Sequence, residues 1–186
     1  MNCFLTIDPG KRGAAVLWRD NLPVKIISFY HTKEWWLELY WLCVMERPDY
    51  VIKERVHGIS GQGLSTTEVL VRHDSISFAV ISILGIPMQE VEPQAWHLMR
   101  GVPKFHDIPE ETKRRTERNK WLKAQALERY PDLKSWDKPI ENAWGKLTKK
   151  GNLEKETPDI WAAIGIGDGV ILQSNKELHQ SQVQPV

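Results

Sequence analysis

FLTIDPGKRGAAVL, residues 4–17, sets two apolar runs on either side of a tight turn. Cys3–Ile7 is an apolar run of strand length. Asp8-Pro9-Gly10 stops it, because proline fixes φ, donates no amide hydrogen and, with glycine, favours a turn. A second apolar run of small residues, Gly13–Trp18, follows at once. Asp20-Asn21 makes the next turn and Val24–Phe29 is a third strand. Links this short join antiparallel strands, so the chain opens with a meander.

Beyond the meander, Thr32 can cap a helix over Lys33–Glu46, with Trp36, Leu37, Tyr40 and Val44 at helical spacing, ended by Pro48-Asp49. YVIKERV, residues 50–56, is the next strand, and the loop Gly58–Gly63 carries Gly58, Gly61 and Gly63. Thr66–Leu84 reads as a long helix with an apolar face of Val69, Leu70, Ile76, Val80, Ile83 and Leu84, stopped by Gly85. Met88–Val91 is a fifth strand and Pro93 opens a short helix toward Met99. A helix is expected over Glu111–Tyr130, then a polar surface loop over 131–155. Thr157-Pro158-Asp159 opens a last helix over Ile160–Leu172: an N-cap, a proline in the first turn and an acid against the helix dipole. The expected fold is α/β, a mixed five-stranded sheet of three antiparallel meander strands plus parallel strands, flanked by helices. One domain, 1–172, carries it, with an insertion at about 101–155 and a flexible tail over 173–186.

Composition narrows the function. Of 186 residues, 41% are apolar and 26% charged, which excludes wholesale disorder. Lys+Arg 25 against Asp+Glu 24 gives a net charge of +1, so contact with nucleic acid has to come from a local patch. Cys3 and Cys43 alone build neither a disulfide framework nor a cysteine zinc site, and fit a reducing compartment. No secretory signal peptide and no apolar stretch of transmembrane length is read, so a cytoplasmic protein without membrane contact is expected. The nine tryptophans are scattered, as packing residues are.

Four acids stand where such a sheet could gather them. Asp8 ends the first strand, Glu54 lies near the end of the fourth, and Glu156 and Asp159 flank the start of the last helix, three residues apart. Each has a plainer reading. Asp8 can be a turn residue, Glu54 a solvent-facing charge between Lys53 and Arg55, Asp159 a helix-dipole acid, and Glu156 part of a charged loop. Jointly they make a different pattern. Four close carboxylates repel one another unless cations fill the site. Oxygen-only ligation suits Mg²⁺ or Mn²⁺, and two such ions roughly 4 Å apart can clamp a phosphodiester for in-line attack by water.

FLTIDPGKRGAAVL, YVIKERV and ETPDIWAAIGIG (residues 156–167) together resemble the three motifs of the RuvC-like Holliday-junction resolvases of the ribonuclease-H-like superfamily. The resemblance implies a ribonuclease-H-like sheet and a metal-dependent endonuclease of DNA recombination and repair. It implies Asp8, Glu54, Glu156 and Asp159 as catalytic acids holding Mg²⁺ or Mn²⁺, two ions per site. It also implies cleavage that leaves a 5′-phosphate and a 3′-hydroxyl, and a homodimer that cuts a four-way junction by paired symmetric nicks. The helix over Thr66–Leu84 matches the one at the family's dimer axis. Glu156 stands where the family has aspartate, with Glu154 as a substitute, and Trp161 stands where some members have histidine. His57 holds the place of an aromatic residue that stacks on a base near the crossover. A bacterial cytoplasm, or a phage-infected one, fits these traits.

A basic run is a separate indication. Glu111–Lys123 holds six basic residues and two acids, with Lys113, Arg114, Arg115, Arg118 and Lys120 as candidate phosphate contacts. The plain alternative is a solvated helix face. Competing functions are another ribonuclease-H-like nuclease acting on flaps, branched DNA or RNA–DNA hybrids, a sugar-kinase or actin-like ATPase domain, and a DNA-binding module without catalysis. The ATPase reading needs a second, similar half and a second phosphate loop, which the sequence lacks. No phosphate-binding P-loop and no small-molecule cofactor site is read.

Overall fold

The computed structural model describes residues 3–10, 12–29, 34–56, 64–136, 140–141, 155–156 and 160–182. Strand β1 (Cys3–Asp8) pairs antiparallel with β2 (Ala14–Arg19), which pairs antiparallel with β3 (Leu22–Ser28). On its other side β1 runs parallel to β4 (Tyr50–Glu54), and β4 runs parallel to β5 (Met88–Val91). The sheet order is β3-β2-β1-β4-β5, the mixed five-stranded sheet expected from the sequence. Asp20 and Asn21 make the β2–β3 turn with positive φ, 48° and 66°, a conformation these residues tolerate better than most.

Helices cover both faces, which is why the central strands read as nearly continuous apolar runs. Leu5, Ile7, Ala15, Leu17 and Val51 point to one face, under α1 (Trp35–Glu46) and α2 (Leu64–Ile83). Phe4, Val16, Trp18 and Ile52 point to the other, under α3 (Pro93–Arg100), α4 (Glu111–Arg129) and α5 (Trp161–Gln182).

Helix α1 turns a different face inward than periodicity suggests, and α2 buries only part of the expected face, with Val80 in the core, Ile76 and Leu84 packed against it, and Ile83 outside. In α1, Trp35, Leu39, Leu42 and Cys43 are buried, while Trp36 and Leu37 are exposed. In α2 the sheet receives His73, Ser77, Val80 and Ile81, and Ile83 is 79% exposed. Burial pushes the Cys43 thiol up to about 12, so it is an unreactive packing residue.

The stretch expected as a surface loop begins with a 3-10 turn, Pro131–Trp136, whose Leu133 joins the core. A short ladder pairs β6 (Ile140–Glu141) with β7 (Lys155–Glu156). Helix α5 runs past Leu172 to Gln182. Thr32 and Thr157-Pro158, expected to cap α1 and start α5, lie outside the described residues.

Helix α5 approaches closely because of its small residues. A Cβ at Gly167 would lie 2.3 Å from the Trp18 ring, and one at Gly165 would lie 2.8 Å from Trp96. The Trp18 indole N–H donates to Thr6 Oγ1 (2.9 Å), and the Thr6 hydroxyl donates to the Ala163 carbonyl (2.8 Å). Asp168, 1% exposed, accepts from the Tyr130 hydroxyl (2.6 Å) and pairs with Arg100 (3.1 Å), tying α5 to α3 and to the end of α4. Asp168 is thus a structural acid. Ala163 lies over Thr6, and Gly167 lies over Trp18, whose partner across the sheet is Phe4. The N-terminus of α5 therefore points to the edge where β1 and β4 end.

Candidate active site and nucleic-acid interface

Asp8 and Glu54 are the last residues of neighbouring parallel strands. Ile7 stands beside Lys53 in the register, so Asp8 and Glu54 come next along strands that lie about 4.8 Å apart. Asp8 follows Phe4 and Thr6 by strand alternation, and Glu54 follows Tyr50 and Ile52. Both therefore share the face covered by α3 and α5. Both are half-buried.

The backbone around Asp8 is tightly prescribed. The Gly10 amide donates to Asp8 Oδ1 (2.9 Å), and the Gly13 amide donates to the Gly10 carbonyl (2.8 Å). A Cβ at Gly13 would lie 2.0 Å from the Asp8 carbonyl oxygen, so only glycine closes this hairpin. From α2, His73 Nδ1 lies 3.1 Å from the Gly10 carbonyl oxygen, and its ring is packed edge-on against Phe29 and Trp35. Glu54 is held from α3, whose buried Trp96 donates its indole N–H to Glu54 Oε2 (2.7 Å).

His73 and Trp96 are not legible as site residues in the sequence, since partners 63 and 42 positions away leave no spacing pattern. Lys53, the residue before Glu54, is 1% exposed on the opposite face of the sheet, bonded to Asp74 of α2 and 2.8 Å from Glu90 of β5. The ammonium clips α2 and β5 to β4 just behind the acid pair. Lys53→Ala is expected to destabilise the fold by about 2 kcal/mol and Lys53→Met by less, since Asp74 and Glu90 are partly hydrated when released. Urea denaturation of the two variants measures this.

Glu156 lies in β7, opposite Ile140, and not on the last helix. The helical three-residue spacing to Asp159 therefore does not apply to it. Asp159 and His57 lie outside the described residues. Among the described residues, no group of three or more His, Cys, Asp or Glu is assembled to hold a metal.

The basic residues are on α4, as expected. Lys113 pairs with Glu110 (2.8 Å), Arg114 with Glu111 (2.8 Å) and Lys120 with Glu117 (2.7 Å), and Arg115 is exposed. Exposed pairs of this kind contribute about 0–1 kcal/mol and exchange readily for phosphate. His97 of α3 is pushed down to about 4, first by burial and then by the charge of Arg118. Between that value and the ordinary 6.5, the unfolded chain binds a proton that the folded chain does not. Stability is therefore full above about pH 6.5 and lost as pH falls toward 4; His73, also lowered by burial, acts in the same sense. The urea midpoint is expected to drop between about pH 7 and about pH 5, and His97→Gln to flatten that drop.

By sequence the chain matches no protein-family model and no curated protein. By structure it is similar to RuvC of Thermus thermophilus in complex with a Holliday junction substrate, with a TM-score of 0.52 and 10% identity over 95% of this chain and 96% of that one. A second Thermus thermophilus RuvC structure gives a TM-score of 0.51 and 12% identity over 94% of this chain and 96% of that one. The fold is the ribonuclease-H-like fold of these RuvC structures. No helix among the described residues is long and apolar enough to cross a membrane.

Proposed function

We propose that this chain is a divalent-metal-dependent endonuclease that resolves four-way DNA junctions by paired symmetric nicks, acting as a homodimer. The observation that carries this reading is that Asp8 and Glu54 end adjacent parallel strands, at the edge toward which α5 points its N-terminus. Two half-buried carboxylates one strand apart repel each other, and a cation relieves that repulsion. Asp8, Glu54, Glu156 and Asp159 would hold Mg²⁺ or Mn²⁺, an oxygen-only donor set that suits those ions. When bound, such ions neutralise phosphate charge and lower the pKa of water.

The chain's own groups prepare the site. The Gly10 amide and the Trp96 indole each orient one carboxylate, and His73 braces the Gly10 carbonyl. In this reading His57, three residues past Glu54, stacks on a base near the crossover, and Lys113, Arg114, Arg115, Arg118 and Lys120 contact phosphates. The RuvC neighbour was solved on a Holliday junction substrate, which supports DNA of that shape. Exposed Trp41 and Met45 on α1, with Val71, Phe78 and Ile83 on α2, support the dimer. They give two helices that pack together a partly apolar outer surface.

Incubation with Mg²⁺ and a synthetic four-way junction, a flap and a linear duplex tests the reading. The junction is expected to be cut by two symmetric nicks and the duplex to survive. Preferential cutting of the flap, or a protein that stays monomeric on and off DNA at micromolar concentration, would contradict it. Replacing Lys113, Arg114, Arg115 and Arg118 together by Ala is expected to weaken junction binding at every sequence tested. The log–log salt slope should become shallower by about one unit for each phosphate that the variant no longer neutralises.

A further inference from the structure

Between α3 and α4 lies a cleft of about 320 Å³. It is lined by His97 of α3, by Val102, Lys104 and Phe105 of the connecting segment, and by Arg114 and Arg118 of α4, among others. This volume is at the small end of cavities that hold small ligands, roughly 300–1,000 Å³. We propose that the cleft binds one unpaired nucleotide, its phosphate against Lys104, Arg114 and Arg118 and its base against Phe105 and His97.

Charge gives the phosphate. Lys104, Arg114 and Arg118 face a single lining carboxylate, Glu111, already paired with Arg114 at 2.8 Å. Lys104 and Arg118 make no ion pair among the described residues. Arg114 also lines the cleft, and its guanidinium can exchange the exposed Glu111 for a phosphate oxygen.

Surface character gives the base. Phe105 is half-buried and sits at φ 50°, a left-handed conformation that is strained for an aromatic residue. The Ile108 amide, donating to the Phe105 carbonyl (3.1 Å), closes this turn. Phe105 thus supplies a ring at the cleft wall beside Val102. His97 is uncharged at neutral pH, and its ring lies 4.0 Å from that of Trp96, edge to face. A neutral imidazole offers a stacking surface and one donor and one acceptor to a base edge. A site for phosphate alone would need neither ring.

The location ties the cleft to the acid pair, because Trp96, the next residue along α3, is the one that holds Glu54. A nucleotide seated here would anchor the strand beside those acids. The source of the nucleotide, a strand of branched DNA, rests on the proposed function; binding in the cleft does not.

Deoxythymidine monophosphate, thymidine and inorganic phosphate, each titrated into the full-length metal-free protein and followed by NMR of the histidine rings and backbone amides, form the test. The monophosphate is expected to shift His97 and the amides of 102–106 and to bind at least about tenfold tighter than phosphate or thymidine. Phe105→Leu should weaken the monophosphate by roughly 5- to 150-fold, the range that stacking a base on an aromatic ring implies, and leave phosphate unchanged. Arg118→Ala should weaken both anions, and Lys104→Ala, on an exposed loop position, should do so without threatening the fold. Equal binding of phosphate and the monophosphate, both indifferent to Phe105→Leu, would overturn the proposal, as would the absence of any His97 shift. A junction with one unpaired nucleotide at the crossover should bind tighter than a fully paired one, and Arg118→Ala should remove that difference. Monophosphate binding with no junction cleavage would sink the nuclease reading and keep this one; junction cleavage with no monophosphate binding would do the reverse.

Discussion

Asp8→Asn and Glu54→Gln are each expected to slow cleavage of a four-way junction by about a thousandfold or more, with junction affinity changed less than about threefold. Each exchange keeps the shape and most hydrogen-bonding capacity of the side chain and removes one negative charge. The Gly10 amide can still donate to the carboxamide oxygen that replaces Asp8 Oδ1. The Trp96 indole can do the same for the one that replaces Glu54 Oε2, so the hairpin and the hold of α3 survive. What disappears is the anionic donor for a divalent cation, whose charge stabilisation in phosphoryl chemistry is worth several kcal/mol, hence about three decades of rate. Binding rests on phosphate contacts that these residues do not make. Cleavage at the wild-type rate by either variant, with metal present and the fold intact, would remove that residue from the site.

Gly167→Ala is expected to destabilise the protein by about 3 kcal/mol, a large effect for one methyl group. In an exposed helix the same exchange stabilises by about 0.5–1 kcal/mol. Here the new Cβ would lie 2.3 Å from the Trp18 ring, which is fully buried and bonded through Thr6 to α5 itself. Either the ring leaves its stack with Phe4 or α5 lifts from the sheet, and both lose core packing. The urea midpoint measures the loss. In a Trp18→Leu background the added cost should shrink, a coupling that a double-mutant cycle reads directly. A Gly167→Ala protein as stable as the parent would mean that α5 does not pack this closely.

The sheet is legible in the sequence because its rules are local. The run from Phe4 to Leu17 switches from strand to turn to strand within fourteen residues, and Asp20-Asn21 needs only its own chemistry to read as a turn. The acids at strand ends are legible for the same reason. The face of α1 is not, because the helix is apolar nearly all round, and that of α2 is legible only in part, because beside Val80 it buries two polar residues, His73 and Ser77. Periodicity counts apolar residues and misses a histidine wedged between Phe29 and Trp35. Lys53 is hidden in the same way: a charged residue in an apolar strand reads as solvent-facing unless its partners, on α2 and β5, are known. The segment after Tyr130 reads as a loop because its contribution to the core, Leu133, is a single residue in a polar stretch.

The most direct test of the central claim, that Asp8 and Glu54 together hold a divalent ion for phosphodiester cleavage, is an anomalous-scattering map from crystals grown with Mn²⁺ and a four-way junction. The account predicts a peak between the two carboxylates, at bonding distances on the order of 2 Å from an oxygen of each. That peak should be lost in the Asp8→Asn protein. Saturating Mn²⁺ with no peak between Asp8 and Glu54 would contradict the account.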